Sequence, residues 1–298
     1  MWNVLRNTFL TWFGKLKYFH YPFFIVWDPG SYQLKGNDVR ELIGLLQPGD
    51  ILLRSYNNYV DGLFIPGQFS HVGLYVGHIV EAQRIQAGSL LQDAVKREGA
   101  QKFFKTGQQM VIHAMAEGVQ MEDILTFSRC DYLVVLRLPE QLKIRHTGKE
   151  VAAGKLLRMP GFQVNKLKRS ERGIHESLHK GENVDRAEVI SPACEMALGL
   201  LGSEYDFGFD FTNFDTFSCS EFVYYCYRSV DHYLHLRPVP HRFMYFFKGT
   251  GIAPDDYLST GLQGIWASRS AINNVKILPL LKDHPDILAH HSTRTISG

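Results

Sequence analysis

The chain has 298 residues, 45% of them hydrophobic and 21% charged, which is enough apolar mass for a substantial core and excludes a disordered polypeptide. A formal net charge of +2 is too balanced for nucleic acid to be the principal partner. The four cysteines (Cys130, Cys194, Cys219, Cys226) show no CxxC or His-rich metal spacing, which argues against a disulfide framework or a zinc ribbon and fits a reducing compartment.

The amino-terminal segment MWNVLRNTFLTWFGKLKYFHYPFFIVW is aromatic and basic but interrupted by charge. No apolar run approaches the ~18 residues a membrane span needs, and no small-residue cleavage site follows a compact apolar segment, so neither a transmembrane helix nor a signal peptide is expected. Trp2, Leu5, Phe9, Phe13 and Leu16 recur at helical spacing, with Asn3, Arg6, Asn7, Thr11 and Lys15 between them. Such a helix over residues 2–16 either packs on the domain or makes peripheral contact with an anionic membrane surface. The expected location is accordingly the cytoplasm, with a membrane face as the place where that stripe would act.

A β-rich core begins near Leu46. Gln47-Pro48-Gly49-Asp50 is a turn, and Ile51-Leu52-Leu53 after it a short strand. Beyond an Asn-, Gly- and Pro-containing loop comes FSHVGLYVG, residues 69–77, in which His71, Gly73 and Tyr75 share one face and Val72, Leu74 and Val76 the other. A histidine opening such a strand is placed to face a cleft. Residues 78–108, of mixed charge and punctuated by Gly88, Gly99 and Gly107, are an insertion expected to be mostly helical and exposed. QMVIHAMAEGV, residues 109–119, resumes a strand carrying His113; MEDILTFSRC reads as a short helix or turn; and DYLVVLRL, residues 131–138, is a buried strand. Two histidine-bearing strands side by side in one antiparallel sheet would bring His71 and His113 together.

Residues 140–186 turn polar and basic, and KLKRSERGIHESLHKGENVDR within them is expected to be a surface loop. AEVISPACEMALGLL, residues 187–201, returns to helical spacing with Cys194 as a small core residue. An aromatic and aspartate-rich loop, residues 202–217, then leads into SCSEFVYYCY, where Cys219 stands in the first turn of a helix. Unpaired N–H groups and the positive end of the helix dipole stabilise a thiolate at that place, a histidine beside it serves as base, and a third polar group orients the histidine. Cys219, His71 and His113 are the residue types for those three roles, with the Cys219 N–H as an oxyanion donor. The ordinary alternative for Cys219 is a small buried hydrophobe, the reading kept for Cys130 and Cys226.

GDILL, SHVGLYVG, VIHAMAEGV, YDFGF and SCSEFVYYCY, in that order, resemble the circularly permuted branch of the NlpC-type papain-like superfamily, in particular the YiiX-like permuted amidases. In that branch the histidine strand precedes the cysteine helix, and the resemblance runs from about residue 46 to IAPDDYLST near residue 260. It implies an α+β papain-like fold, with an antiparallel sheet or barrel packed against the helix that bears the cysteine nucleophile. By the resemblance Cys219 matches the nucleophile and His71 the base. The third member is either His113 in VIHA or Glu81 in IVEA, and Tyr205 matches a tyrosine near the cysteine. Ser70, Ser218, Ser220, Phe207 and Phe217 complete the candidate site as substrate-binding residues.

The expected layout is an amino-terminal extension over 1–45, a catalytic domain over 46–265 and a carboxy-terminal tail over 266–298. The expected function is hydrolysis of an amide, ester or thioester through an acyl-cysteine, with no metal or organic cofactor. The partner is a peptide- or lipid-linked substrate. Phe207, Phe209, Phe211, Phe214 and Phe217 near Cys219 favour an apolar one. The alternatives are a non-catalytic lipid- or peptide-binding module of the same fold, and an acyltransferase resembling lecithin:retinol acyltransferase.

Overall fold

The computed structural model describes residues 8, 16–20, 23–27, 32–57, 65–83, 101–143, 168–208, 211, 214–243 and 247–289. Leu16, the last residue of the amino-terminal stripe, opens strand β1 (Leu16–His20), which pairs with β2 (Phe23–Trp27) in an antiparallel hairpin. The stripe's other four residues lie outside the described part, and so does most of the insertion: only short helical pieces at 81–83 and 101–103 are described there. Helix α1 (Gly36–Leu45) follows the hairpin.

Five strands from the middle of the chain and one from its end make the central sheet: β3 (Ile51–Ser55), β4 (His71–Ile79), β5 (Gly107–Met115), β6 (Gly118–Asp123), β7 (Tyr132–Arg137) and β14 (Gln263–Ala267). The spatial order is β14-β7-β3-β4-β5-β6, with every neighbouring pair antiparallel. The described strands form an open sheet with β14 and β6 at its edges and do not close into a barrel. The stretch expected as one strand over 109–119 is a hairpin, because the chain turns at residues 116–117 and Gly118 takes φ +115, a conformation side-chain-bearing residues rarely adopt.

Alternation along these strands builds two apolar layers. On one face Ile51, Leu53, Val72, Leu74, Ile112, Ala114, Val134 and Leu136 form a core with the helices α4 (Arg186–Gly199) and α5 (Cys219–Cys226). On the other, Leu52, Tyr75, Val111, Leu133 and Val135 pack with Leu42 of α1, with Phe127 of α2 (Ile124–Phe127) and with Trp266. Residues 266–289, expected as a tail, contribute Trp266, Ile272, Ile277, Leu281 and Ile287 to these cores.

The polar region expected to be a loop contains helix α3 (Arg169–His179), which corrects that expectation. Glu171, Ile174, His175 and Leu178 recur on one face and are buried, and the Glu171 carboxylate meets the buried Arg228 guanidinium at 2.9 Å. A buried ion pair at a helix start replaced the apolar stripe that would have announced the helix. Two-residue strands β8 (Gln141–Leu142) and β9 (Val184–Asp185) join the ends of this region.

Candidate active site

Helix α5 begins where its sequence says it should. Ser218 is the N-cap: its Oγ accepts the Glu221 N–H at 3.4 Å, and its own N–H donates to Glu221 Oε2 at 2.7 Å. This reciprocal box occupies the polar groups of Ser218 and places Cys219 at the first helical position. Glu221 Oε1 also accepts the Phe211 N–H at 3.0 Å, which ties the preceding aromatic loop to the helix. Burial, reinforced by nearby Asp206, pushes Glu221 up to about 8 against those hydrogen bonds.

The helix packs against β4 and β5 at the end of the sheet where these two strands part. Their ladder runs from Ile79–Gly107 to Leu74–Ile112, and the first residues of β4 pair only with β3, His71 lying opposite Arg54. The Val72 N–H is thereby turned to the Cys219 thiol. Cys219 is 3% exposed and His71 8%, so each is largely desolvated. Burial raises the Cys219 thiol above its ordinary range, and the Val72 N–H and the Ser220 hydroxyl and N–H only oppose that. Burial also takes His71 well below 6.5, helped by the charge of Arg54 and by His113. At neutral pH these two directions favour a thiol beside a neutral imidazole, where the helix position alone argued for a thiolate.

His71 Nε2 and His113 Nδ1 are 2.7 Å apart, with the rings edge to face at 4.9 Å. His113 is fully buried, and its Nε2 lies 3.3 Å from Oε2 of Glu122. Glu122 reaches it because Val111 pairs with Glu122 and His113 with Gln120, so the carboxylate stands diagonally across the β5–β6 hairpin on the same face. Burial alone would raise Glu122; its contact with His113 and the charge of Arg54 outweigh that and hold the carboxyl below its ordinary range. With the proton of a neutral His113 assigned to Nε2, toward the carboxylate, Nδ1 accepts from His71 Nε2–H and the lone pair of His71 is left on Nδ1.

Phe127 closes the other side. Its ring stands 5.3 Å from that of His113 and 6.0 Å from that of His71, and the Arg54 guanidinium lies 4.2 Å over it. Arg54 also donates Nη1 to the Phe127 carbonyl at 3.0 Å and sits 3.8 Å from Glu122. Gly73 leaves room for this ring, since a Cβ there would lie 2.8 Å from it.

The remaining candidates separate by position. Glu81 is exposed beyond the far end of β4 from His71, so the structure does not bring it to the histidine pair. Among the described residues no hydrogen bond joins Cys219 to His71; the thiol is held one residue along, at Val72. Ser70 and Ser220 are buried beside His71 and Cys219; the Ser70 hydroxyl has no partner among the described residues, and the Ser220 hydroxyl is turned to the Cys219 thiol. Tyr205 lies in the short strand β10 (Glu204–Tyr205), which pairs in parallel with β11 (Thr216–Phe217). Phe207 stacks edge-on against Tyr205 at 4.7 Å. Phe217 is buried, and it and Phe211 and Phe214 pack on Tyr224 and Tyr225 of α5, so these rings brace the helix; Phe209 lies outside the described residues. Glu122 and Arg54 went unread in the sequence. The one signal for Glu122 was an acidic residue nine positions after His113, on a strand that returns beside it.

Residues 45–163 match the profile of the permuted papain-like amidases of the YaeF/YiiX type, the C92 family. Over that stretch the chain is similar to the C92 permuted papain-like amidases. The matched part takes in β3 to β7 with Arg54, His71, His113 and Glu122, and ends before Cys219. The match supports a papain-like enzyme of the amidase or peptidase class at that level of detail. No curated protein and no solved structure matches the chain. Among the described residues no helix is long and apolar enough to cross a membrane, and no cluster of three or more His, Cys, Asp or Glu could hold a metal ion.

Proposed function

We propose that the protein is a cysteine amidohydrolase in which Cys219 attacks the carbonyl of an amide, ester or thioester and His71 is the general base. His71 Nδ1 takes the thiol proton as the Sγ–C bond forms, and the resulting imidazolium returns it to the departing amine or alcohol as the C–N or C–O bond breaks. Water, deprotonated by the same nitrogen, then cleaves the acyl-cysteine. His113 is the orienting residue, and Glu122 behind it offsets the positive charge that His71 gains during attack. The first-turn N–H groups of α5 lie toward the carbonyl oxygen as it becomes negative. The observation that carries this reading is the His71–His113 bond of 2.7 Å placed next to the residue whose N–H meets the Cys219 sulfur.

The test is acylation of Cys219 by an activated ester such as p-nitrophenyl acetate, followed as the mass of the acyl-protein. Wild type should acylate and then turn over, Cys219→Ser should not acquire the thioester, and His71→Ala should be slower by about a hundredfold or more. A His71→Ala rate equal to wild type would remove the base and leave a binding module of the same fold. Acyl transfer to an added amine in preference to water would instead identify an acyltransferase.

A further inference from the structure

One short element touches both arms of the reacting pair. The 3-10 turn Pro254–Ser259 lies more than a hundred residues from His71 in sequence, yet Asp255 Oδ2 accepts the Gln68 N–H and Oδ1 the Phe69 N–H, each at 2.7 Å. These are the residues that lead into Ser70 and His71. Gly67 makes the approach possible: it has φ +107, and a Cβ there would fall 2.5 Å from the Asp255 carboxyl carbon. Two residues further along the turn, the fully buried Tyr257 donates its hydroxyl to the Ser220 carbonyl at 2.8 Å, in the first turn of α5. The turn is itself braced, since Asp256 Oδ2 accepts the Ala253 N–H at 2.7 Å and lies 3.2 Å from His241 Nε2 on β12 (Val239–Phe243).

The geometry points to the Pro254–Ser259 turn as a clamp that sets the distance between the Cys219 sulfur and the His71 imidazole, with Asp255 and Tyr257 as positioning residues. This rests on the Cys219–His71 reading above. Neither residue touches the reacting atoms; each holds backbone one or two residues away from them. A single turn gripping both backbones couples the start of β4 to the first turn of α5, at the end of the sheet where the β4–β5 ladder stops. Burial takes Asp255 up to about 6, with Asp256 adding to the rise and the two N–H bonds and His241 opposing it. The doubly accepting carboxylate is therefore the form present above about pH 6, and protonation below it removes one of the two acceptors.

The experiment compares two rates in wild type, His71→Ala, Asp255→Asn and Tyr257→Phe. Acylation by p-nitrophenyl acetate at neutral pH requires the base in place, whereas iodoacetamide alkylation above the thiol pKa reports only access to Cys219 in the folded protein. Displacing the pair by about an ångström should lower acylation by about ten- to a hundredfold in both clamp variants. The thermal midpoint should fall by no more than the lost hydrogen bonds cost, and alkylation of the folded protein, well below that midpoint, should stay at the wild-type rate, which a general loosening of the site would not allow. Asp255→Glu, which keeps the carboxylate, should restore part of the rate. Wild-type acylation in both variants, or a fall in step with alkylation, overturns the clamp. A His71→Ala rate equal to wild type overturns the catalytic reading and the clamp with it, a pattern distinct from failure of the clamp alone. Should Asp255→Asn fail to fold, Tyr257→Phe, which removes one hydroxyl, decides the matter.

Discussion

Replacing Glu122 by Gln is the sharpest probe of the relay behind the proposed base. The separations of 3.3 and 2.7 Å with one imidazole between them set the carboxylate roughly 8 Å from the His71 ring. At an effective dielectric of ~20, a unit charge at that distance is worth about 2 kcal/mol, or about 1.5 pKa units. The sign follows from the charge. An anion favours the protonated imidazole, so its removal lowers the basicity of His71, which burial and Arg54 already hold well below 6.5. In Glu122→Gln the acid limb of the acylation rate should therefore move to lower pH by about one unit, while the plateau falls by about tenfold because a weaker base takes the thiol proton less readily. The assay is the rate of Cys219 acylation between about pH 4 and pH 9, alongside the thermal midpoint. Loss of folded protein would lower the plateau without moving the limb. A variant whose limb and plateau both match wild type would show that Glu122 does not act on His71 through His113, and the proton assignment along the relay would fall.

Other consequences can be checked on stability. Gly73→Ala puts a Cβ 2.8 Å from the Phe127 ring, and the displaced ring should cost about 1–3 kcal/mol in urea denaturation and slow acylation as the histidine pair loses its cover. Glu221 has a folded pKa of about 8 against an ordinary 4.5. Its contribution to stability is complete below the lower value and is lost as pH rises through the upper one, so the urea midpoint should fall between about pH 4.5 and pH 8 and level off above, and Glu221→Gln should flatten that slope. Arg228→Ala strands the buried Glu171 carboxylate and should cost about 3–5 kcal/mol by thermal or urea unfolding, whereas a loss below 1 kcal/mol would mean that water reaches Glu171.

Several parts of this protein were written in local sequence. Strict alternation in SHVGLYVG put His71 on one face and Val72 and Leu74 on the other, and both assignments follow from a period of two that no tertiary contact needs to supply. SCSEFVYYCY reads as a helix with Cys219 in its first turn, and α5 starts there; the Ser218–Glu221 capping box that fixes this start is local, being closed within four residues. The pairing of His71 with His113 was inferred from two strands being neighbours, and that adjacency is present in the sheet.

What the tertiary structure alone decided depends on partners distant in sequence or on the removal of water. Glu81 and Glu122 are both acidic residues close to a histidine in the chain; strand direction carries the first away from His71, and the hairpin at Gly118 brings the second back to His113. The rings of Phe211, Phe214 and Phe217 look like a binding surface in one dimension, but Tyr224 and Tyr225 of α5 claim them. Helix α3 was hidden because its buried face carries Glu171, whose compensating charge, Arg228, lies on a different element. The protonation of Cys219 and His71 turned on burial, which outweighs the helix-terminus effect that sequence position alone suggested. Asp255 meets Gln68 and Phe69 across more than 180 residues, and no local period or spacing encodes such a contact; only the closing of the chain on itself does.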